Sequence, residues 1–179
     1  MTLYGAKDLA EAFRTVRKNT LVIAGELTEE QYTFSAIPGT RTVAQTLYHI
    51  AVISKLQEQV HMVEKRTTLA GFDFPAYMRN VMTEESKPRT RAELIALLQT
   101  NGDHFAAWLE TVSDEFLGET VGMPAGASPA SKTRFEMLMG VKEHEMHHRG
   151  QLMLLQRLVG GVPHLTRQMM ERMAAMQQK

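Results

Sequence analysis

Four apolar stripes at helical spacing limit what this chain can fold into. Leu9, Phe13, Val16, Thr20, Ile23 and Leu27 recur at intervals of three and four, which keeps them on one face of an α-helix. His49, Ile53, Leu56, Val60 and Val63 form a second stripe, and Leu94, Leu98, Asn101, Phe105, Trp108 and Val112 a third. The fourth runs through Val141, His144, His148, Leu152, Leu155 and Val159. Period-two alternation is sustained nowhere, so the reading is nearly all α. At 179 residues, 44% of them hydrophobic, one domain spanning residues 1–179 is expected.

Capping chemistry marks the boundaries. Thr90-Arg91-Ala92-Glu93 and Thr133-Arg134-Phe135-Glu136 both fit the capping box, in which hydroxyl and carboxyl satisfy orphan N–H groups of the first turn. Ile37-Pro38-Gly39-Thr40 breaks the chain before the second helix, Gly122 to Pro129 is a loop before the fourth, and Gly160-Gly161-Val162-Pro163 ends it. The stretch from about Lys65 to Arg89 is too long for a helical hairpin. It can recross a helix ~33 Å long, which allows an overhand crossing with the second and third helices parallel. Phe74 to Glu85 within it is expected to form a short extra helix covering one mouth of the bundle. Residues 164–179 are expected to form an amphipathic helix whose Met169, Met170, Met173 and Met176 pack on the bundle or on a second subunit. The remaining methionines, of thirteen in all, are read as flexible core filler.

Composition excludes several functions. Twenty basic side chains balance twenty acidic ones without a run of like charge, which gives no pull toward nucleic acid. No secretory signal is visible in Met1-Thr2-Leu3-Tyr4-Gly5-Ala6-Lys7-Asp8, and the apolar runs fall far short of a membrane span. A cytoplasmic protein without membrane partners is expected. With no cysteine there is no disulfide, no thiol nucleophile and no thiolate metal site. A metal must therefore be held by His, Asp or Glu.

Attention turns to the seven histidines. His144 and His148 stand one turn apart and ~40° around a helix, so two imidazoles can reach one ion from one face. Both interrupt an apolar stripe, and His49 heads another, so all three are expected to point inward. An inward imidazole needs a hydrogen-bond partner or a metal, and spacing alone leaves both readings open. His147, ~60° from His144, is read as a rim residue, and His61, His104 and His164 as ordinary. Asn101 is expected to hydrogen-bond inside the bundle. His144-Glu145-Met146-His147-His148 also matches H-E-x-x-H, the zincin signature, with Glu171 as a conceivable downstream ligand. The strands that zincin clefts use to bind extended substrate are not apparent.

The longer motif His144-Glu145-Met146-His147-His148-Arg149-Gly150-Gln151 resembles the H-x-x-x-H-R-G-Q signature of the DinB/YfiT-like family of small helical metalloproteins. Leu47-Tyr48-His49-Ile50 resembles the first-histidine motif of that family, and the order of elements matches over about residues 5–160. The resemblance implies an up-down-down-up four-helix bundle, commonly a homodimer. It further implies a divalent metal, often nickel or zinc, held by three histidines that map to His49, His144 and His148. Some members of the family are isomerases or S-transferases dependent on low-molecular-weight thiols. Three imidazoles leave coordination positions open, the arrangement of a reactive site. Here any thiol arrives as a cosubstrate.

Glu145 is read as a solvated helix-face charge in preference to a neighbouring base, and Arg149 as a surface or interhelix ion pair in preference to an anion binder. Gly150 is read as permitting close helix approach, and Gln151 as bonding a ligand imidazole or the backbone of the second helix. The expected function is a metal-dependent enzyme acting on a small molecule, as a hydrolase or a thiol S-transferase. A non-catalytic metal- or ligand-binding stress protein is the alternative, and a zincin-type peptidase using His144, Glu145 and His148 the third reading.

Overall fold

Local capping decides where the helices start. The structure, a computed structural model, describes residues 4–177. Its helices are α1 (Ala6–Glu26), α2 (Val43–Gln57), α3 (Phe74–Glu85), α4 (Arg91–Leu109), α5 (Asp114–Gly118), α6 (Arg134–Leu158) and α7 (His164–Gln177). A 3-10 turn, Glu30–Thr33, follows α1, and a π-helical turn, Glu58–Val63, continues α2. Both expected capping boxes form, at Thr90 and Thr133, and a third at Thr42 with Gln45 starts α2. Asp73 caps α3 by accepting from Ala76 N–H. The extra helix spans the expected residues 74–85, and the C-terminal helix runs to Gln177, residues 178 and 179 lying outside the described residues. Met1, Thr2 and Leu3 of the segment read as free of a signal lie outside them too.

The sequence reading contained no strand. Two three-residue strands, β1 (Thr120–Gly122) and β2 (Ser131–Thr133), pair antiparallel across the Gly122–Pro129 loop. They bring the chain back to the start of α6.

The four long helices form an up-down-down-up bundle. α1 and α2 each pack against α4 and α6 and stand at opposite corners. Tyr4 lies edge-on to Phe135 at one end of α1, and Gln156 bonds Glu26 at the other, so α1 and α6 run parallel. Arg91, at the start of α4, donates to the Gly25 carbonyl near the end of α1, which makes that pair antiparallel. Asn101 Nδ2 donates to the Ala51 carbonyl and His104 meets Glu58, so α4 runs parallel to α2. Residues 65–89 therefore make the overhand crossing.

The interior is two apolar clusters with a polar layer between them. Ile23, Leu27, Val43, Leu47, Leu94, Leu98 and Leu152 fill one end. Leu9, Phe13, Phe105, Leu109, Leu138 and Val141 fill the other. Between them Arg17 is 4% exposed and Glu145 0%. Arg17 donates to Glu145 from Nε (3.0 Å) and Nη2 (2.9 Å), and Thr20 Oγ1 adds a third donor at 2.7 Å. The same guanidinium donates to the backbone carbonyls of Leu98 at 2.5 Å and Ile50 at 3.2 Å. One side chain of α1 thus ties down α2, α4 and α6.

This layer corrects the reading of Glu145 as a solvated charge. The inward face of α6 is Leu138, Val141, Glu145, His148, Leu152 and Leu155, and His144 stands at its edge, exposed. The second stripe also lies to one side: Val43, Leu47, Ile50, Ala51 and Ser54 face the bundle, Ile53 and Leu56 are half-buried, and Val63 is exposed. Gly150 is exposed with no atom near a notional Cβ. The close approach belongs to Gly102, where a Cβ would lie 2.9 Å from Arg17 Nη1 and 3.0 Å from its Cγ. No methionine among the described residues is fully buried; Met153 and Met139 pack, partly buried, against the two clusters.

Arg17→Met strands the Glu145 carboxylate in the core and is expected to cost about 3–5 kcal/mol in urea unfolding. Adding Glu145→Met should recover much of that loss, because the buried charge goes with it. Gly102→Ala, which helix propensity alone would make stabilising by up to ~1 kcal/mol, is expected to destabilise by displacing Arg17.

Candidate metal centre

α2 and α6 run antiparallel, which places the middle of one beside the middle of the other. His49 of α2 thereby meets His144 and His148 of α6. The Nε2 atoms of His49 and His144 are 3.4 Å apart, and those of His144 and His148 are 2.8 Å apart. One ring nitrogen from each of the three lies within 4.8 Å of the others. His49 and His148 are buried, whereas His144 is exposed, contrary to its expected inward position.

Their outer nitrogens face oxygen acceptors. His148 Nδ1 is 2.8 Å from Gln151 Oε1, so Gln151 takes the role of bonding a ligand imidazole. Gln151 Nε2 reaches back to His147 Nε2 at 3.2 Å, which makes His147 the exposed rim residue expected. His49 Nδ1 lies 3.3 Å from Glu85 Oε2, and Arg41 Nε donates to the other oxygen, Oε1, at 2.6 Å. At His148 the acceptor holds the proton on Nδ1 and leaves the Nε2 lone pair free to face the shared centre, the tautomer a metal ligand needs, whereas His49 Nδ1 and Glu85 Oε2 are close without being aligned for a hydrogen bond. Although the residue as a whole is exposed, partial burial of its ring against the other histidines, with their charges adding to it, pushes His144 down to about 4. Burial also lowers His148. Near pH 7 these rings are neutral and able to donate to a cation.

Glu85 and Arg41 were not anticipated. Glu85 is the only buried residue of α3 and ends that helix. Its signal in the sequence was indirect: the extra helix was expected at a mouth of the bundle.

Beside the histidines a cavity of about 610 Å³ runs between α2 and α6. Ile53, Leu56 and Val60 form one wall and Met137, Gly140 and Val141 another. Phe72, Phe74 and Tyr77 close it from the long crossing. The laterally displaced second stripe is thus the cavity lining. Burial raises the Tyr77 hydroxyl to about 12, so it stays protonated.

The remaining expectations sort clearly. Glu145 faces Arg17, away from the three Nε2 atoms, so it cannot serve as the base that H-E-x-x-H would require. Glu171 is exposed on α7. The zincin reading fails on both residues. Arg149, half-buried, has no ion pair among the described residues, so the surface or interhelix pair expected of it does not form. His164 bonds Asn19 Oδ1, and His104 meets Glu58. His61 accepts from buried Arg134 Nη1 at 2.7 Å and contacts Gln57 at 2.9 Å. These are structural bonds, as expected of ordinary histidines.

Comparison with known proteins bears on this arrangement. A family model described as the DinB superfamily matches residues 12–152. The chain belongs to the DinB superfamily. Among solved structures, the DinB-like chain is similar to YfiT of Bacillus subtilis, described as a probable metal-dependent hydrolase with an unusual four-helix bundle topology. The TM-score is 0.66 at 19% identity, over 87% of this chain and 88% of that one. A DinB-like protein of Bacillus cereus aligns with TM-score 0.65 at 17% identity, over 87% and 93% of the two chains. Another from Bacillus subtilis gives 0.62 at 19%, over 86% and 93%. At such identities the likeness establishes the fold. No curated protein sequence matches significantly. Among the described residues no helix is long and apolar enough to cross a membrane.

The His61 contact carries a pH prediction. Burial, then the Arg134 charge, lowers the folded-state pKa of His61 from 6.5 to about 4. Between those values the unfolded chain binds a proton that the native state refuses, so this contribution to stability is whole above 6.5 and declines as pH falls toward 4. Urea unfolding at stepped pH should show that decline, and His61→Gln, which keeps an acceptor for Arg134, should lessen its slope, the remainder coming from His144, His148 and His164, which are lowered too.

Proposed function

We propose that this chain binds one divalent metal ion, nickel or zinc, through Nε2 of His49, His144 and His148. In this reading the site acts on a small molecule held in the adjoining cavity. The observation that supports it is the convergence of three imidazoles, with Gln151 bonded to the His148 ring and the Glu85 carboxylate beside the His49 ring, at one end of a mostly apolar cavity. A divalent ion in such a site supplies Lewis acidity, lowering the pKa of water toward ~7 and favouring the thiolate of a thiol.

The chain's own residues divide the remaining work. Glu85 and Gln151 hold the His49 and His148 rings in register. The walls of α3 and α6 exclude water from the substrate's apolar body. Glu145 is consumed by Arg17 and Thr20, so it is not available as the base, and in this reading the nucleophile is activated at the ion. Hydrolysis is the first reading, in keeping with the description of YfiT. Transfer of a low-molecular-weight thiol is the second, and the absence of cysteine makes that thiol a cosubstrate. A homodimer belongs to the same proposal, the exposed Met169, Met173 and Met176 of α7 offering an apolar stripe to a second copy.

Protein purified without a histidine tag should carry about one divalent ion per chain, measured by elemental analysis. His148→Ala and His49→Ala should each lose it, and unchanged binding in either would remove that residue from the site. Glu85→Gln should weaken the metal about tenfold or more by calorimetry, since it loosens the His49 ring without removing a ligand. Metal-dependent turnover is to be sought on a panel of esters, amides and electrophiles, with and without added thiols. Turnover only with thiol selects the transferase reading. No turnover on any of them leaves a metal-binding protein.

A further inference from the structure

The cavity has a charged far end. His49 and His144 mark one end, and along α2 the lining continues through Ile53 and Leu56 to Val60. Eleven residues of helix separate His49 from Val60, a rise of ~16 Å. Along α6 the lining descends in the opposite sense from His144 to Met137 and then to Lys132 of β2. The trough is therefore elongated, with imidazoles at one end and an ammonium at the other.

Lys132 is not an incidental surface residue. In the two-stranded ribbon it stands directly opposite Val121, and residues paired in this way project to the same side. Val121 is fully buried, so Lys132 is on the inward side of the ribbon and is itself half-buried. Among the described residues no carboxylate lies within ion-pair distance of its ammonium. Glu136 is the nearby acid, and its Oε2 is already bound by Thr133 N–H at 2.7 Å and Thr133 Oγ1 at 2.8 Å in the α6 cap. Glu136 lines the trough too and its charge is felt by Lys132, but the two form no ion pair, so the half-buried ammonium keeps its donors for an anion brought by the ligand.

We propose that the trough takes a linear, apolar monocarboxylate, or an acyl compound ending in one, with the carboxylate on Lys132 and the opposite end of the chain at the three histidines. This rests on the cavity reading above and names its substrate class. Lys132 selects the ligand and takes no part in bond breaking.

Dodecanoate, dodecanol and dodecylammonium, whose extended lengths are close to the trough's, are the probes. Binding is measured by calorimetry below their micellar concentrations on metal-free and on zinc-loaded protein. Metal-free wild type should bind dodecanoate about tenfold more tightly than dodecanol, and dodecylammonium least. Lys132→Met should remove the preference for dodecanoate over dodecanol and leave dodecanol binding unchanged, whereas Lys132→Arg should retain it. Equal binding of the three probes, no binding of any, or a preference that survives Lys132→Met would overturn the proposal, the wild-type comparison deciding even if the variant fails to fold. A Lys132-dependent preference in protein that binds no zinc would uphold the trough and refute the metal centre.

Discussion

The buried Arg17–Glu145 pair is the constraint on which the rest of the structure depends. A lone carboxylate in that position would be intolerable, and even a paired one gains little net stability after desolvation. What the pair contributes is placement. The guanidinium donates to Glu145, which sits between His144 and His148 in the chain, and to the carbonyl of Ile50, the residue after His49. A slide of α2 past α6 would break bonds in a buried layer, so the register of the two histidine-bearing helices is fixed from α1. Two apolar clusters alone tolerate such slides far better, because apolar contact is not directional.

That layer also explains what the sequence did and did not disclose. The helices, their caps and the crossing were legible because spacing and capping are local: Thr90 and Thr133 cap what their own next three residues build. The family's H-x-x-x-H-R-G-Q pattern and the first-histidine motif led to His49, His144 and His148, and the fold brings those three together. Glu145 was misplaced because apolar periodicity treats a carboxylate as solvated, and its cation lies 128 residues away. Leaving Glu145 out of the stripe moved the inferred face toward His144, which is why His144 was expected inward. Glu85 was missed for a related reason: its partner is 36 positions earlier, and nothing local to α3 signals a carboxylate aimed at an imidazole.

The long crossing between α2 and α4 joins two tasks. Topology alone requires a connector long enough to return to the other end of the bundle, but the connector here also walls the cavity with Phe74 and Tyr77 and delivers Glu85 to His49. Because one short helix does both, a ligand pressing on its cavity face bears on the element that orients a histidine. The displaced second stripe fits the same logic. Ile53, Leu56 and Val60 are apolar because they face the cavity, while the bundle side of α2 is supplied by Leu47, Ile50 and Ala51. A helix apolar on two faces is what a bundle with a side cavity requires.

The three histidines are unequally held, and the inequality has a chemical use. His49 and His148 are buried; Gln151 Oε1 holds the His148 ring at Nδ1, and the Glu85 carboxylate stands beside Nδ1 of His49. His144 is exposed, and no protein acceptor faces its Nδ1 among the described residues. Nitrogens around a tetrahedral zinc stand ~3.3–3.4 Å apart if each is 2.0–2.1 Å from the metal. The 3.4 Å between His49 and His144 meets that requirement, and the 2.8 Å between His144 and His148 falls short of it. Were all three to hold a zinc ion, the ring that would move is the one without an acceptor at Nδ1, so the adjustment would break no bond there. In the proposed site the two buried imidazoles would set the position of an ion, and the third, at the solvent edge, would close on it.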